Sequence, residues 1–275
     1  MGRRLGQHFL ARKSILDRIA EAACGGIASG DAASADARPL VVEIGPGRGS
    51  LTESLLERAE QVIAIEVDPM LVLYLRQKFR EAIEGGRLTL IEGDVLKTDI
   101  AALTQGRRAV IAGNLPYYIT SPILQHVFAL GPAWERGVFL VQAEVAERLS
   151  AAPGGRDDGY LRVLAQVYSR VEVLFPVERG AFRPPPKVDS AVVRVEPRGD
   201  AAGIADVDGF LRFCSACFRH KRKTLRNNLA PVYGRERMDA ISEGRLRAEQ
   251  LGVAELVGLL QKLESQNSLA TNEHE

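Results

Sequence analysis

Cysteine is scarce in this chain of 275 residues: Cys24, Cys214 and Cys217 are the only three. An odd set of this kind gives no disulfide framework, which points to a reducing, cytosolic setting. Cys214 and Cys217 form a C-x-x-C, yet no second cysteine pair or histidine cluster completes a metal site. Both are expected to be structural residues on a helix, and no metal is expected. Long apolar runs are missing too. No stretch is long enough to cross a bilayer and the N-terminus has no apolar signal core, so no membrane role is expected. An apolar content of 46% and a charged content of 26% describe a globular protein with a sizeable core.

Net charge is only +1, from 36 bases and 35 acids, but acids are absent from two segments. Residues 1–16 carry Arg3, Arg4, Arg12 and Lys13. The stretch from Gly209 to Arg235 carries Arg212, Arg219, Lys221, Arg222, Lys223, Arg226 and Arg235. Without these eleven, 25 bases face 35 acids. Positive charge concentrated in two segments of an otherwise acidic protein is the footprint of a polyanion partner. A solvated helix face is the competing reading for either segment alone.

Apolar periodicity organises the chain. Residues 12–24 repeat at helical spacing, and Gly25–Arg38 is a Gly/Ala/Ser/Asp-rich loop. Strands then alternate with helices: Leu40–Ile44, a helix near 49–58, Gln61–Val67, a helix near 69–80, Leu88–Glu92. Next come Val110–Gly113, a helix near 121–129 and Val138–Gln142. This rhythm predicts a mostly parallel, doubly wound α/β sheet covered on both faces. Val171–Phe175 and Val188–Val195, joined by a Pro-rich link, are expected to form an antiparallel pair at one edge. A Pro/Gly/Asp/Ala linker separates residues 1–200 from 201–275. Residues 207–264 read as helices only, a small all-α domain whose tail, from about 266, is polar and expected to fray.

Asn114-Leu115-Pro116-Tyr117 follows the strand that ends at Gly113, at the end of a parallel sheet where ligands bind. An Asn side-chain carbonyl can accept one hydrogen of an exocyclic amine. The Pro116 carbonyl, on a backbone stiffened by the ring, is the expected second acceptor. Tyr117 adds a flat face for a base. Asn-x-Pro is also ordinary turn chemistry, so the tetrapeptide alone leaves both readings open. Earlier, Glu43-Ile44-Gly45-Pro46-Gly47-Arg48-Gly49 lets the backbone pass close to a ligand. Ser50 stands where a dinucleotide fingerprint needs its third glycine. Glu66 ends the second strand, 21 residues after Gly45, where an acid grips ribose hydroxyls of NAD and of S-adenosylmethionine alike. Asp94, after the third strand, is placed to accept from a cofactor adenine amine.

These residues give the chain a resemblance to class I S-adenosylmethionine-dependent methyltransferases. More narrowly, it resembles the KsgA family of small-subunit rRNA adenine dimethyltransferases. The matching pieces are Gly6-Gln7-His8-Phe9-Leu10, the glycine loop, Gly93-Asp94-Val95 and Asn114-Leu115-Pro116-Tyr117-Tyr118. Two more follow in family order: Phe182-Arg183-Pro184-Pro185-Pro186-Lys187-Val188-Asp189-Ser190-Ala191, and the run from Phe218 to Leu229 through Lys221-Arg222-Lys223-Thr224-Leu225-Arg226-Asn227-Asn228. Together they span nearly the whole chain.

The resemblance implies a Rossmann-like sheet and S-adenosylmethionine as cofactor. His8 and Leu10 would border the methionine end, Gly45 would lie under it and Glu66 would bind the ribose. Asp94 would hold the cofactor adenine, with Val95 in main-chain contact. Asn114 would contact the methionine moiety or the target amine, and Tyr117 and Phe182 would sandwich the target base. Tyr118 is expected in the core or behind the site. Arg219, Lys221, Arg222, Lys223 and Arg226, expected on helices, would meet rRNA phosphates.

The implied reaction is dimethylation of N6 on two adjacent adenines in a 3′-terminal hairpin loop of 16S rRNA, within a pre-ribosomal 30S particle, by a cytoplasmic monomer. The chain departs from the family pattern at His8, where many members carry Asn, and at Gly25–Arg38, which is longer and richer in Ala than usual. Three other readings stay open: a large-subunit rRNA methylase of the same superfamily, an RNA-binding assembly factor with an idle pocket, and an NAD-dependent dehydrogenase. The glycine register disfavours the last.

Overall fold

The computed structural model describes residues 8–26, 38–151, 159–199 and 203–271. Arg3, Arg4 and most of the Gly25–Arg38 loop lie outside the described residues. The elements run β1 (Phe9–Leu10), α1 (Lys13–Cys24), β2 (Leu40–Ile44), α2 (Ser50–Leu56), β3 (Gln61–Glu66), α3 (Pro69–Lys78), α4 (Arg80–Glu84) and β4 (Leu88–Glu92). They continue with α5 (Ile100–Leu103), β5 (Ala109–Asn114), α6 (Thr120–Phe128), β6 (Trp134–Gln142), α7 (Ala143–Ser150), α8 (Tyr160–Tyr168), β7 (Ser169–Val177), β8 (Phe182–Arg183) and β9 (Ser190–Pro197). The last are α9 (Val207–Cys217), α10 (Leu225–Tyr233), α11 (Arg235–Asp239) and α12 (Val253–Thr271). α12 carries helix past the polar boundary expected near 266.

Two compact units result: Met1–Ala146 with Arg170–Pro197, and Glu147–Ser169 with Arg198–Glu275. The first holds a seven-stranded sheet in the order β4-β3-β2-β5-β6-β9-β7. β4, β3, β2, β5 and β6 are parallel, and β9 runs antiparallel to β6. Continuous apolar sequence explains the parallel part: all of Leu40-Val41-Val42-Glu43-Ile44 is buried, as strands covered on both faces must be. Chain order reverses between β2 and β5, and ligands bind beyond the carboxyl ends of strands at such a switch point. Helix starts are locally encoded. Asp68 accepts from the Met70 amide at 2.9 Å, and Pro69 occupies the first turn of α3, where a missing N–H costs nothing.

A two-stranded ribbon outside the main sheet has no signature in the sequence pattern. β1 pairs antiparallel with β8, Phe9 opposite Arg183 and Leu10 opposite Phe182. It brings the N-terminal His8-Phe9-Leu10 and the Pro-rich link into one ribbon.

In the second unit, α9, α10 and α12 bury Phe210, Phe213, Leu225, Leu229, Leu256, Leu259 and Leu263 around one core. Cys214 and Cys217 are fully buried in it, and burial pushes the Cys214 thiol up to about 12, so it packs as a hydrophobe. The expected boundary near residue 200 falls close to the observed one at 197/198, but α8 belongs to the helical unit, a correction to the simple split. Val163 and Val167 join its core, and the guanidinium of Arg162, fully buried, donates to Gln166 Oε1 at 3.1 Å and the Leu251 carbonyl at 2.8 Å. Such a cation is tolerated in an interior only because its donors are matched.

Candidate active site

One cavity of the first unit collects the ends of four parallel strands. β2 delivers Glu43 and the glycine loop, β3 delivers Glu66, the turn after β4 delivers Asp94, and β5 delivers Asn114. His8, Leu10, Gly45, Val95, Pro116 and Tyr117 line the same cavity. All the expected cofactor residues are therefore brought together.

The backbone at Gly45 sits at φ +67°, in the left-handed region, and a Cβ there would meet nothing within 4 Å, so the floor of the cavity is open above it. At Gly47, φ +59°, a Cβ would lie 2.9 Å from the Phe9 ring, so the ribbon strand packs directly on the loop. Glu66 fastens this loop to the sheet. Its Oε2 accepts from the Gly47 amide, and its Oε1 accepts from the Val67 and Asp68 amides, each at 3.0 Å. Roughly one of its four acceptor positions remains for a ribose hydroxyl. Asp94 uses Oδ1 to cap the turn at the Leu96 amide, 3.0 Å away, which leaves Oδ2 as an acceptor.

Asn114 has a fixed amide orientation. Its Nδ2 donates to the main-chain carbonyl of His8 at 3.0 Å, and a carbonyl can only accept. Oδ1 is therefore the group left for an incoming amine. The His8 ring donates from Nδ1 to the Pro184 carbonyl at 2.9 Å, and its centroid stands 5.9 Å from that of Tyr117. Tyr117 is half-buried, its hydroxyl hydrogen-bonded to Ser190 Oγ at 2.7 Å. Burial raises its phenol above the ordinary value and Ser190 only partly opposes this, so Tyr117 is no base at neutral pH.

Three expectations need correction. The Pro116 carbonyl is already engaged, accepting from the Ile119 amide at 3.1 Å and Thr120 Oγ1 at 3.0 Å. The neighbouring Leu115 carbonyl accepts no hydrogen bond in the turn among the described residues, and Leu115 lines the cavity, so its carbonyl is left open as an acceptor beside Pro116. Phe182 does not sit on the exposed loop that its Pro-rich surroundings imply. Instead β1–β8 pairing turns its ring into the core, fully buried and with no free face for a base. Tyr118, expected inside, is 61% exposed and lines the cavity.

Glu43 has no role that the sequence alone suggests. It is buried at the cavity wall and accepts from Thr52 Oγ1 at 2.6 Å. Burial pushes its carboxyl up to about 7; Thr52 opposes this, Glu66 adds to it and Lys78 opposes it. The lining thus carries Glu43, Glu66 and Asp94 against one guanidinium, Arg48. An acid-rich wall with apolar Ile65, Val67 and Val95 suits a cationic ligand with an adenine, and opposes a pyrophosphate. S-adenosylmethionine fits that description and a nicotinamide dinucleotide does not.

In the second unit four of the five basic residues expected on helices are not on them, and only Arg226 lies on α10. Arg219, Lys221, Arg222 and Lys223 occupy the exposed turn between α9 and α10. Asn228, 2% exposed, holds this turn: Nδ2 donates to the Cys217 carbonyl at 2.6 Å and Oδ1 accepts from the His220 amide at 3.2 Å. Arg226 differs from the rest, because Asp239 pairs with it.

A doubly wound sheet with these strand-end residues is that of a Rossmann-like methyltransferase. Comparison with known proteins narrows the class. Residues 2–264 match the model of the ribosomal RNA adenine dimethylase family, and the chain belongs to that family. It is 43% identical to ribosomal RNA small subunit methyltransferase A of Acidobacterium capsulatum, over 96% of this chain and 92% of the relative. The Pseudomonas aeruginosa protein of the same name is 40% identical over 95% and 94%. Among solved structures, a dimethyladenosine transferase from Plasmodium falciparum superposes with a TM-score of 0.73 at 26% identity, covering 94% of this chain and 98% of that one. The 23S rRNA methyltransferase ErmE gives 0.62 at 27% identity, covering 93% and 99%.

Proposed function

We propose that this chain transfers methyl groups from S-adenosylmethionine to N6 of two adjacent adenines in a 3′-terminal hairpin loop of 16S rRNA. It acts as a cytoplasmic monomer on a pre-ribosomal 30S particle. The observation that carries the reading is the oriented amide of Asn114, whose Oδ1 is left as an acceptor beside the Leu115 carbonyl and the Tyr117 ring. Relatives that cover nearly all of the chain are named for small-subunit rRNA methylation.

Glu66, Asp94 and Val95 would hold the ribose and adenine of the cofactor, with Gly45, His8 and Leu10 around its methionine end. Bound there, the cofactor supplies an electrophilic methyl group on a sulfonium centre. The target N6 is a weak nucleophile because its lone pair is delocalised into the purine. Asn114 Oδ1 and the Leu115 carbonyl, each accepting one N6 hydrogen, favour a tetrahedral nitrogen and stabilise its developing positive charge. No general base is needed before attack, since the N6 proton becomes acidic only once the new bond forms. Tyr117 offers stacking to a base that has left its helix, worth roughly 1–3 kcal/mol. The exposed cations of the Arg219–Lys223 turn would meet backbone phosphates.

Incubation of the protein with under-methylated small subunits and methyl-labelled cofactor, followed by mapping, tests the reading. Two neighbouring N6,N6-dimethyladenines near the 3′ end of the small-subunit rRNA are expected. Label only in large-subunit rRNA, or no transfer, would refute it.

A further inference from the structure

We propose that Tyr118 is the stacking platform for the nucleotide next to the target adenine, and so holds the neighbour while the target occupies the cavity. This deepens the functional reading and rests on it. Tyr117 and Tyr118 are consecutive, yet their surroundings are opposite. The Tyr117 hydroxyl is tied to Ser190, itself fully buried, whereas Tyr118 is 61% exposed at the cavity and makes no hydrogen bond or ring contact among the described residues.

A large aromatic surface left in water beside a catalytic turn has a ready use. Extracting a base from a stacked loop strips one face from its neighbour. An aromatic ring at the mouth restores that face. Phe182, the other aromatic expected near the base, is buried in the core.

Stacking reads no Watson–Crick edge and tolerates any base. A platform of this kind therefore accepts an adenine neighbour and an N6,N6-dimethyladenine neighbour alike. One cavity can then treat two adjacent adenines in turn, because modification of the first does not disturb the grip on it when the second enters.

The test uses the full chain and reconstituted small subunits of two kinds, one with intact rRNA and one in which the base beside a retained target adenine is missing. On intact subunits Tyr118→Ala should raise KM roughly 5- to 150-fold with kcat little changed, and Tyr118→Phe should restore it. Cofactor affinity of both variants should match the unaltered chain. On subunits with the abasic neighbour, Tyr118→Ala and the unaltered chain should have equal KM. An unchanged KM for Tyr118→Ala on intact subunits, or an equal loss on both kinds, overturns the proposal. Failure of the unaltered chain to methylate intact subunits would instead overturn the functional reading, and this proposal with it.

Discussion

Asn114 and His8 lie 106 positions apart, and the side-chain amide of one donates to the main-chain carbonyl of the other at 3.0 Å. This bond aims Asn114 Oδ1 and at the same time ties the N-terminal ribbon to the end of β5. Asn114→Ala removes the acceptor. Asn114→Asp keeps an oxygen but cannot donate to His8, so a carboxylate would face a carbonyl. Both variants should lower methyl transfer roughly 10²–10³-fold, the usual loss for one transition-state hydrogen-bonding group. RNA binding, measured by filter retention, should survive because the basic turn belongs to the other unit.

Tyr117 and Ser190 separate two roles of one side chain. Tyr117→Phe keeps the ring and leaves Ser190 Oγ, fully buried, without its partner. A cost of about 1–3 kcal/mol in stability is expected, with KM for RNA nearly unchanged. Tyr117→Ala removes the ring and should weaken RNA use by a further 1–3 kcal/mol or so. Thermal melts and steady-state kinetics on the two variants distinguish the effects.

Glu43 makes the stability of the first unit depend on pH. Its folded pKa of about 7 lies above the ordinary carboxylate value of 4.5, so between these pH values the folded state holds more protons than the unfolded one. Stability is therefore lost as pH rises from about 4.5 to about 7, by about 3 kcal/mol from this group. Glu43→Gln, which keeps an acceptor for Thr52, should raise the melting temperature at pH 8 and leave it unchanged at pH 4. An equal shift at both pH values would assign the gain to packing instead of charge.

Much of this is legible in the chain because strand ends are local. Runs such as Leu40–Ile44 and Val110–Gly113 identify buried parallel strands, and the residue after each run, Gly45 or Asn114, is a site residue by topology alone. What the chain hides depends on partners far away. Phe182 precedes three prolines and reads as loop, but pairing with Leu10, 172 positions earlier, turns it inward. The Pro116 carbonyl reads as free until the Thr120 hydroxyl occupies it. Nothing in the sequence marks Arg162 as buried; the Leu251 carbonyl and Gln166, both reached only in the fold, help make its burial tolerable. Ser190 carries no signal of its role at all.

The basic turn is built with evident cost. Arg222 sits at φ +65°, where a side chain is about 1 kcal/mol less favourable than glycine, and Asn228 gives its buried amide to the turn backbone. Four cations at Arg219, Lys221, Arg222 and Lys223 stand exposed, with no acid paired to them among the described residues. A glycine at 222 would relax the backbone and discard the charge. Replacing Lys221, Arg222 and Lys223 together by Gln should reduce the slope of log K against log salt by roughly 0.7–0.9 for each phosphate no longer neutralised, or about 2.1–2.7 if all three meet phosphates. Arg226→Gln should change the slope far less, since Asp239 already offsets that charge. Binding titrations of small-subunit rRNA between about 50 and 200 mM salt decide the matter. An unaltered slope in the triple variant would return the turn to an ordinary solvated loop.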